Sequence, residues 1–298
     1  MMLNKIKGSS YYIDAPTNIG VYVFKNKNCL LVDSGINSTQ AKKIDEVLIQ
    51  NDLHPKYIIN THSHIDHCGG NLYFKNNYPG VLIYTSQSEK LFMDNPLLHS
   101  YAQYSANPIK EIVRNNKVVP VDSVIDYGLN KINDEKFEII PLKGHSIEQI
   151  GILTPEKVCY LGDSIFSENI IEKYSFPYLI NIEDSINTLK SIADIDGDFF
   201  MVSHSSVLYT KNEIVALVNK NLQNIEDYIN QISDLLDQPL TKEDLLENLI
   251  IINELKVKSL NEYHNYFSSV SAFLSYLYEK SNISFSIEDG KVYYFKKA

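Results

Sequence analysis

The sequence predicts an α/β fold followed by a smaller helical domain. Over residues 1–210, short runs of strand-forming residues alternate with patterns that are typical of amphipathic helices. Beyond that point three longer helical patterns follow one another, and a hairpin closes the chain. We therefore predict two domains, one over residues 1–210 and a C-terminal one over residues 211–298.

The first domain opens with a strand meander and continues with alternating strands and helices. Strands are predicted at residues 11–13, 19–24, 29–32, 57–60, 81–84, 137–141, 150–154, 158–161 and 199–202. Apolar residues at three-and-four spacing from Ala41 to Leu48 predict a helix over 38–50, with Ser38 as its N-cap. A second helix is predicted over 183–192. Pro96 and Pro108 interrupt residues 94–116, which we interpret as a long loop or short helices over the site.

The C-terminal domain carries three predicted helices, over 213–236, 241–255 and 261–280. A hairpin of residues 283–287 and 292–295 around Asp289-Gly290 follows, and this order is typical of a winged-helix-like module. Residues 211–298 contain 9 lysines and 13 acidic residues, a net charge of −4. This charge opposes nucleic-acid binding, so we expect a structural or dimerisation role.

Composition narrows the class of protein. A chain of 298 residues with 44% hydrophobic content can bury a large core, and its net charge of −10 with Arg114 as the single arginine disfavours polyanionic partners. Since no export signal and no run of about 18 apolar residues is present, we predict a cytoplasmic protein without a membrane partner. Cys29, Cys68 and Cys159 are widely spaced, which favours buried core thiols in a reducing compartment.

The most informative segment is His62-Ser63-His64-Ile65-Asp66-His67, directly after an apolar run. It offers four potential metal ligands in six positions, which scattered surface histidines would rarely produce. In an extended loop residues i and i+2 face the same side, so His62 and His64 can hold one ion. Asp66 and His67, at the head of the next helix, then face a second ion.

Three further candidates each follow a predicted strand. They are His145 in Gly144-His145-Ser146, Asp163 in Gly162-Asp163 and His204 in Ser203-His204. Taken singly, each is an ordinary turn or surface residue. Their joint occurrence after the 62–67 motif predicts that strand ends bring them to one site.

These motifs, together with Asp33-Ser34-Gly35 at the end of an early strand, closely resemble the metallo-β-lactamase superfamily over residues 10–210. The resemblance implies a catalytic domain folded as an αββα sandwich with a binuclear metal site at one edge. It implies that one metal is bound by His62, His64 and His145, that the other is bound by Asp66, His67 and His204, and that Asp163 bridges them. The tail from about Asn219 resembles the C-terminal helical extension of some bacterial members.

The predicted chemistry is hydrolysis. Imidazole and carboxylate ligands favour Zn²⁺ and also suit Fe and Mn. Two ions about 3.5–4 Å apart would hold a bridging water whose pKa falls toward ~7, which makes hydroxide the nucleophile at neutral pH. We expect Asp66 to orient this water and move its proton. Asp33 and Thr61 are predicted to support the ligand loops, although Asp33 also suits a plain strand-end turn.

The predicted substrate is a small ester, thioester, lactone or phosphodiester. His64 replaces the glutamate of flavodiiron proteins and Asp163 replaces the cysteine of common zinc β-lactamases, which disfavours both activities. Glyoxalase II has the same ligand pattern but binds glutathione through basic C-terminal residues, which this acidic tail does not obviously supply. Candidate substrate-binding residues are Tyr101, Tyr104, Tyr174 and Tyr178.

Three alternatives therefore stay open. The first is a hydrolase of a small molecule, in which the tail supports the fold or a homodimer. The second is a nuclease that acts on RNA or single-stranded DNA through the tail. The third is an iron-dependent sulfur-oxidising or redox enzyme on the same scaffold.

Overall fold

A computed structural model describes residues 1–113 and 117–297; Arg114 and the rest of 114–116 in the predicted 94–116 loop lie outside the described residues. The strands are β1 (Leu3–Lys7), β2 (Ser10–Ile13), β3 (Ile19–Val23), β4 (Asn28–Val32), β5 (His54–Ile59), β6 (Leu82–Thr85), β7 (Ser123–Val124), β8 (Gly128–Ile132), β9 (Glu135–Pro141), β10 (Ile150–Leu153), β11 (Val158–Tyr160), β12 (Phe199–Met201), β13 (Leu208–Thr210), β14 (Ile283–Glu288) and β15 (Lys291–Lys296). The helices are α1 (Ser38–Gln50), α2 (Ile65–Cys68), α3 (Asn71–Asn77), α4 (Gln87–Asp94), α5 (Leu97–Tyr104), α6 (Glu168–Lys173), α7 (Ile182–Asp194), α8 (Lys211–Leu235), α9 (Lys242–Ile252) and α10 (Leu260–Glu279).

Two mixed sheets form the centre of the fold. The first contains β1 to β7 in chain order, antiparallel up to β4 and parallel from β4 to β7. The second has the order β13-β12-β11-β10-β9-β8, in which β11 and β12 are the parallel pair. Parallel pairing requires crossovers, which α1 supplies between β4 and β5 and α7 supplies between β11 and β12.

Three buried clusters separate four layers. In β4, Leu30 and Val32 face a cluster shared with the second sheet, whereas Cys29 and Leu31 face a cluster under α1 and α3. In β11, Cys159 faces the cluster formed with α7 and α8. Because neighbouring side chains on a strand point to opposite faces, this alternation builds helix, sheet, sheet and helix layers. The predicted α/β class and αββα sandwich are confirmed.

The C-terminal segment contains α8, α9, α10 and the β14–β15 hairpin, whose turn residues Asp289 and Gly290 both have positive φ as a tight hairpin requires. The buried cluster around Leu189 on α7 continues without a break through Leu245 and Phe273. The hydrophobic core therefore crosses residue 210. The division into two domains and the likeness to a winged helix stay predictions.

Local predictions are corrected at a few points. The N-cap of α1 is Asn37, whose side chain accepts a hydrogen bond from the Gln40 amide at 3.0 Å, so the prediction of Ser38 was wrong. Strands β1, β7, β8 and β13 were not predicted, because short edge strands such as β8 leave residues like Leu129 exposed and lose the alternating pattern. In the described part of residues 94–116, α5 is a short helix as expected.

The cysteines agree with expectation. Cys29, Cys68 and Cys159 are buried with free thiols, as predicted. In the segments 1–113 and 117–297, no helix combines the length and apolar character needed to cross a membrane.

Candidate metal centre

The seven predicted ligands lie at the carboxyl ends of four strands. The 62–67 motif follows β5, and His145, Asp163 and His204 follow β9, β11 and β12. The loops after these strands bring the side chains together at one edge of the two sheets. They form a first group, His62, His64 and His145, and a second group, Asp66, His67, Asp163 and His204, each with its ligand atoms within 4.8 Å of one another.

The first group consists of three imidazoles. Nε2 of His62 and Nε2 of His145 each lie 3.0 Å from Nδ1 of His64. Ligands about 2.0–2.1 Å from a tetrahedral zinc ion are about 3.3 Å apart, so this spacing fits one shared cation. Burial, reinforced by the neighbouring histidines, holds the pKa of His62 and of His64 well below the ordinary value. The rings are therefore neutral at neutral pH, as metal binding requires.

The second group combines two carboxylates with two imidazoles. Oδ2 of Asp163 lies 3.3 Å from Nε2 of both His67 and His204, and Oδ2 of Asp66 lies 3.4 and 3.3 Å from the same two nitrogens. Burial alone would lower the pKa of His204, but Asp163 and Asp66 raise it to about 10. The same carboxylates raise the pKa of His67 against the effect of its burial.

One nitrogen of the second group lies at ion-pair distance from the carboxylates of Asp66 and Asp163 without forming a hydrogen bond of ordinary geometry. Nε2 of His67 is buried and has no hydrogen-bond partner among the described residues. A buried polar atom without a partner is rare, and a cation between His67 and the two carboxylates would supply one. The donor set of imidazole and carboxylate also suits a divalent metal. The residues therefore fit metal ions in both groups.

Asp163 lies between the two groups. Its Oδ2 is 3.7 Å from Nε2 of His145 in the first group as well as 3.3 Å from the histidines of the second. Burial opposes ionisation of this carboxyl, yet His67 and His204 hold its pKa well below the ordinary value. An ionised carboxylate in this position can contact a cation on either side.

Asp33 and Thr61, the two predicted supporting residues, contact candidate ligands of both groups. Oδ2 of Asp33 accepts a hydrogen bond from Nδ1 of His67 at 2.7 Å, and its Oδ1 accepts from the Thr61 amide at 2.8 Å. The Thr61 hydroxyl donates to Asp33, so Nδ1–H of His62 donates to that hydroxyl at 3.0 Å. These bonds direct Nε2 of both rings into the site. Asp33 directly follows β4 and has a φ of 69°, so the residue that turns the chain here also holds the ring of His67.

Backbone carbonyls orient two more rings. Nδ1 of His145 donates to the carbonyl of Tyr178 at 3.0 Å, and Nδ1 of His204 donates to the carbonyl of Pro16 at 2.9 Å. Gly144 precedes His145 with a φ of 122°, a conformation that side chains other than glycine rarely adopt. The chain can therefore turn sharply where it delivers His145.

Glu89 and His99 reach the site without having been predicted. Glu89 on α4 is 1% exposed and contacts the loops of both the 62–67 motif and His145. Nε2 of His99 on α5 lies 2.9 Å from Oγ of Ser63, and its ring centroid is 5.5 Å from that of His64. Single charged residues on short helices carry no spacing signal, so sequence patterns could not identify them.

The four candidate tyrosines occupy different positions. The ring of Tyr178 lies 5.6 Å from that of His145 and 5.8 Å from that of His64. Tyr174 is 47% exposed and lines a cleft beside His204. The hydroxyl of Tyr101 donates to Asn107, and Tyr104 packs against His264. Of the four, the structure places Tyr178 beside the predicted ligands.

A cleft of about 1000 Å³ opens onto His204. Its walls come from α6, from the segment around Tyr178 and from the start of α10, and they include several aromatic rings. Among the described lining residues, the charged side chains away from the ligands are Asp14, Lys173 and Glu262. Two smaller cavities of about 200 and 210 Å³ lie on the His64 side, and Tyr178 borders all three spaces.

Comparison with known proteins agrees with this geometry. A family model described as the metallo-beta-lactamase superfamily matches residues 13–204. A hydroxyacylglutathione hydrolase of Buchnera aphidicola is 26% identical over 262 residues, which cover 85% of this chain and 89% of the relative.

Two solved structures share the fold across the C-terminal helices as well. A metallo-beta-lactamase family protein from Thermus thermophilus aligns with a TM-score of 0.76 at 17% identity, covering 97% of this chain and 99% of that one. A beta-lactamase domain protein from Burkholderia ambifaria has the same TM-score at 14% identity, covering 99% of this chain and 93% of that one.

Proposed function

Because the chain belongs to the metallo-β-lactamase superfamily and is a hydrolase of that fold, we propose that it cleaves a thioester or a related small ester with two divalent metal ions. The observation that carries the proposal is the pair of ligand groups joined by Asp163, with the unpartnered Nε2 of His67 between carboxylates. Two adjacent cation sites are the arrangement that metal-assisted hydrolysis uses.

The first group would hold one ion and the second group the other, with Asp163 contacting both. Zinc is the metal we propose, since neutral imidazoles and carboxylates are its usual ligands besides thiolates. When bound, two such ions supply the activated water and the Lewis acidity that ester hydrolysis needs at neutral pH.

Asp66 is the residue we propose for proton transfer. Its side chain is 31% exposed at the head of α2, and its Oδ2 accepts a hydrogen bond from the Thr17 hydroxyl at 3.2 Å. Burial opposes its ionisation, but His67 and His204 hold its pKa below the ordinary range, so the carboxylate is ionised at neutral pH. In the reaction, the water oxygen adds to the acyl carbon and the water gives a proton to Asp66; the bond from that carbon to sulfur or oxygen then breaks, and Asp66 passes the proton to the leaving group.

The cleft supports an acyl substrate with an apolar portion. Phe166, Phe176 and Tyr266 contribute aromatic surface to its walls, while the amide of Asn169 offers hydrogen bonds. Thioesters come first among the substrate classes, because several relatives are named hydroxyacylglutathione hydrolase. Asp14 and Glu262 outnumber Lys173 among the described charges of the walls, so we propose a leaving group less anionic than glutathione.

The test combines metal analysis with a hydrolysis panel. Wild type and His145→Ala would be compared on a thioester, a lactone, a phosphodiester and a β-lactam. We expect close to two metal ions per wild-type chain, thioester or ester cleavage, and loss of both one ion and most activity in the variant. A wild-type protein with well under one ion per chain, or with cleavage that His145→Ala does not change, would contradict the proposal.

A further inference from the structure

We propose that Glu89 is a positioning residue that joins the two loops of the first group, so that its three histidines are aligned before a metal ion binds. The inference rests on the proposed function, because it concerns residues that would hold one of the two ions. It assigns a role to a side chain that lies outside the predicted ligand set.

The contacts of Glu89 run to both loops. Its Oε2 accepts hydrogen bonds from the amide and hydroxyl of Ser63, at 2.8 and 2.5 Å. Its Oε1 accepts from the Ser146 hydroxyl at 2.7 Å and from the Glu148 amide at 2.9 Å. Ser63 stands between His62 and His64, and Ser146 follows His145. One carboxylate therefore links segments that are far apart in the chain but jointly supply the first group.

The arrangement requires a carboxylate in particular. Glu89 is 1% exposed, and a buried charge is tolerated when all its hydrogen-bonding capacity is used. Each oxygen serves one loop, and each loop offers a backbone N–H that cannot reverse its role. A glutamine would turn an NH₂ group toward one of these N–H donors and would therefore hold only one loop.

Glu89 complements Asp33. The hydrogen bonds of Asp33 reach His67 directly, and those of Glu89 reach the neighbours of His62, His64 and His145. Nε2 of His145 lies 3.0 Å from Nδ1 of His64. Loss of the Glu89 carboxylate would release the loops that carry these two histidines from each other. The expected consequence is a weaker first ion with an unchanged second one.

The experiment is a Co²⁺ titration of metal-free protein, followed by absorbance and calorimetry, for wild type, Glu89→Gln and the control Asp94→Asn. Asp94 is on the same helix in an exposed ion pair with Lys90, so its replacement leaves the loops intact. His145→Ala and His204→Ala assign the two binding steps to the first and second groups. We expect Glu89→Gln to weaken the binding of Co²⁺ to the first group by about 10–100-fold, as the loss of an orienting partner does. The absorption spectrum of Co²⁺ bound there should also change.

Three outcomes decide the matter. Wild-type binding at both steps in Glu89→Gln, or an equal loss at both steps, would overturn the inference and leave the proposed function standing. Failure of the wild type to bind two ions would overturn the proposed function and this inference with it. If Glu89→Gln does not fold, Ser146→Ala replaces it, since it removes one hydroxyl donor to Glu89; a smaller loss confined to the first step is expected, and no loss there would overturn the inference.

Discussion

The two ligand groups differ in chemistry and in access. The first group consists of three imidazoles, of which His62 and His145 are buried and His64 is half-buried, and burial lowers the pKa of each. The second group contains two carboxylates, and its members Asp66 and His204 are 31% and 29% exposed. A more buried set of neutral ligands suits an ion held in a fixed position, whereas a more exposed, charged set leaves room for water and substrate. The difference suggests that the first group anchors the site and the second group faces the reaction.

The supporting residues Asp33 and Glu89 also differ in how they contact the two groups. Asp33 lies 2.7 Å from a ring nitrogen of the second group, so it acts on a ligand directly. Glu89 contacts the backbone and hydroxyls beside the first group and no ligand ring among its described hydrogen bonds. Glu89 thus acts on the first group through its loops, and Asp33 acts on the second group through a ring.

The largest expected effect comes from removing the residue that the two groups share. Asp163→Asn keeps the size of the side chain and removes the charge that faces His67, His145 and His204. We expect the metal affinity of both groups to fall. The activation free energy of ester hydrolysis should rise by about 4 kcal/mol, which lowers the rate close to a thousandfold. Elemental analysis would measure the metal content, and steady-state kinetics would measure kcat. Asp196→Asn, which breaks an exposed ion pair with Lys157, is the control; two tightly bound ions in Asp163→Asn would argue against a bridging role.

A smaller and more selective effect is expected at Asp33. Asp33→Asn replaces the carboxylate that accepts from Nδ1 of His67, so that ring loses its fixed orientation. Metal affinity should fall about 10–100-fold at the second group. It should fall less at the first group, because Asp33 reaches His62 only through the Thr61 hydroxyl. This is the reverse of the pattern expected for Glu89→Gln. Equal losses in the two variants would remove the distinction between the supporting residues.

The sequence could identify the candidate ligands because each follows a strand. His145, Asp163 and His204 come directly after apolar runs, and strand ends meet at a sheet edge. Asp33 and Thr61 could be identified from the sequence for the same reason. The carbonyls of Tyr178 and Pro16 were not, since every residue has a carbonyl and its direction depends on tertiary structure. Glu89 was missed because its partners are brought together only by the fold.

The fold was predicted with similar limits. The long strands and helices of the buried layers carry clear apolar periodicity, whereas edge strand β8 and the short helices α4 to α6 do not. Other expectations stay predictions: zinc as the metal, the cytoplasmic location, a homodimer, and the nuclease and iron-dependent alternatives.

The finest test of the comparison is the pH dependence of metal binding. Burial lowers the pKa of the rings in the first group below the ordinary value, so at neutral pH and above these rings are neutral and an ion displaces no proton there. In the second group Asp163 and Asp66 raise the pKa of His204 to about 10, so the ring carries a proton that the ion must displace. Raising the pH removes this competition.

We therefore expect affinity at the second step to rise about tenfold per pH unit between pH 6 and pH 8 for each proton released, while the first step stays nearly constant. Titrations of metal-free His204→Ala and His145→Ala at pH 6, 7 and 8 report the first and second groups separately. Calorimetry in buffers of different ionisation enthalpy counts the protons released. Parallel slopes for the two variants would mean that the carboxylates of the second group do not keep its histidines protonated, and the electrostatic contrast between the groups would then be wrong.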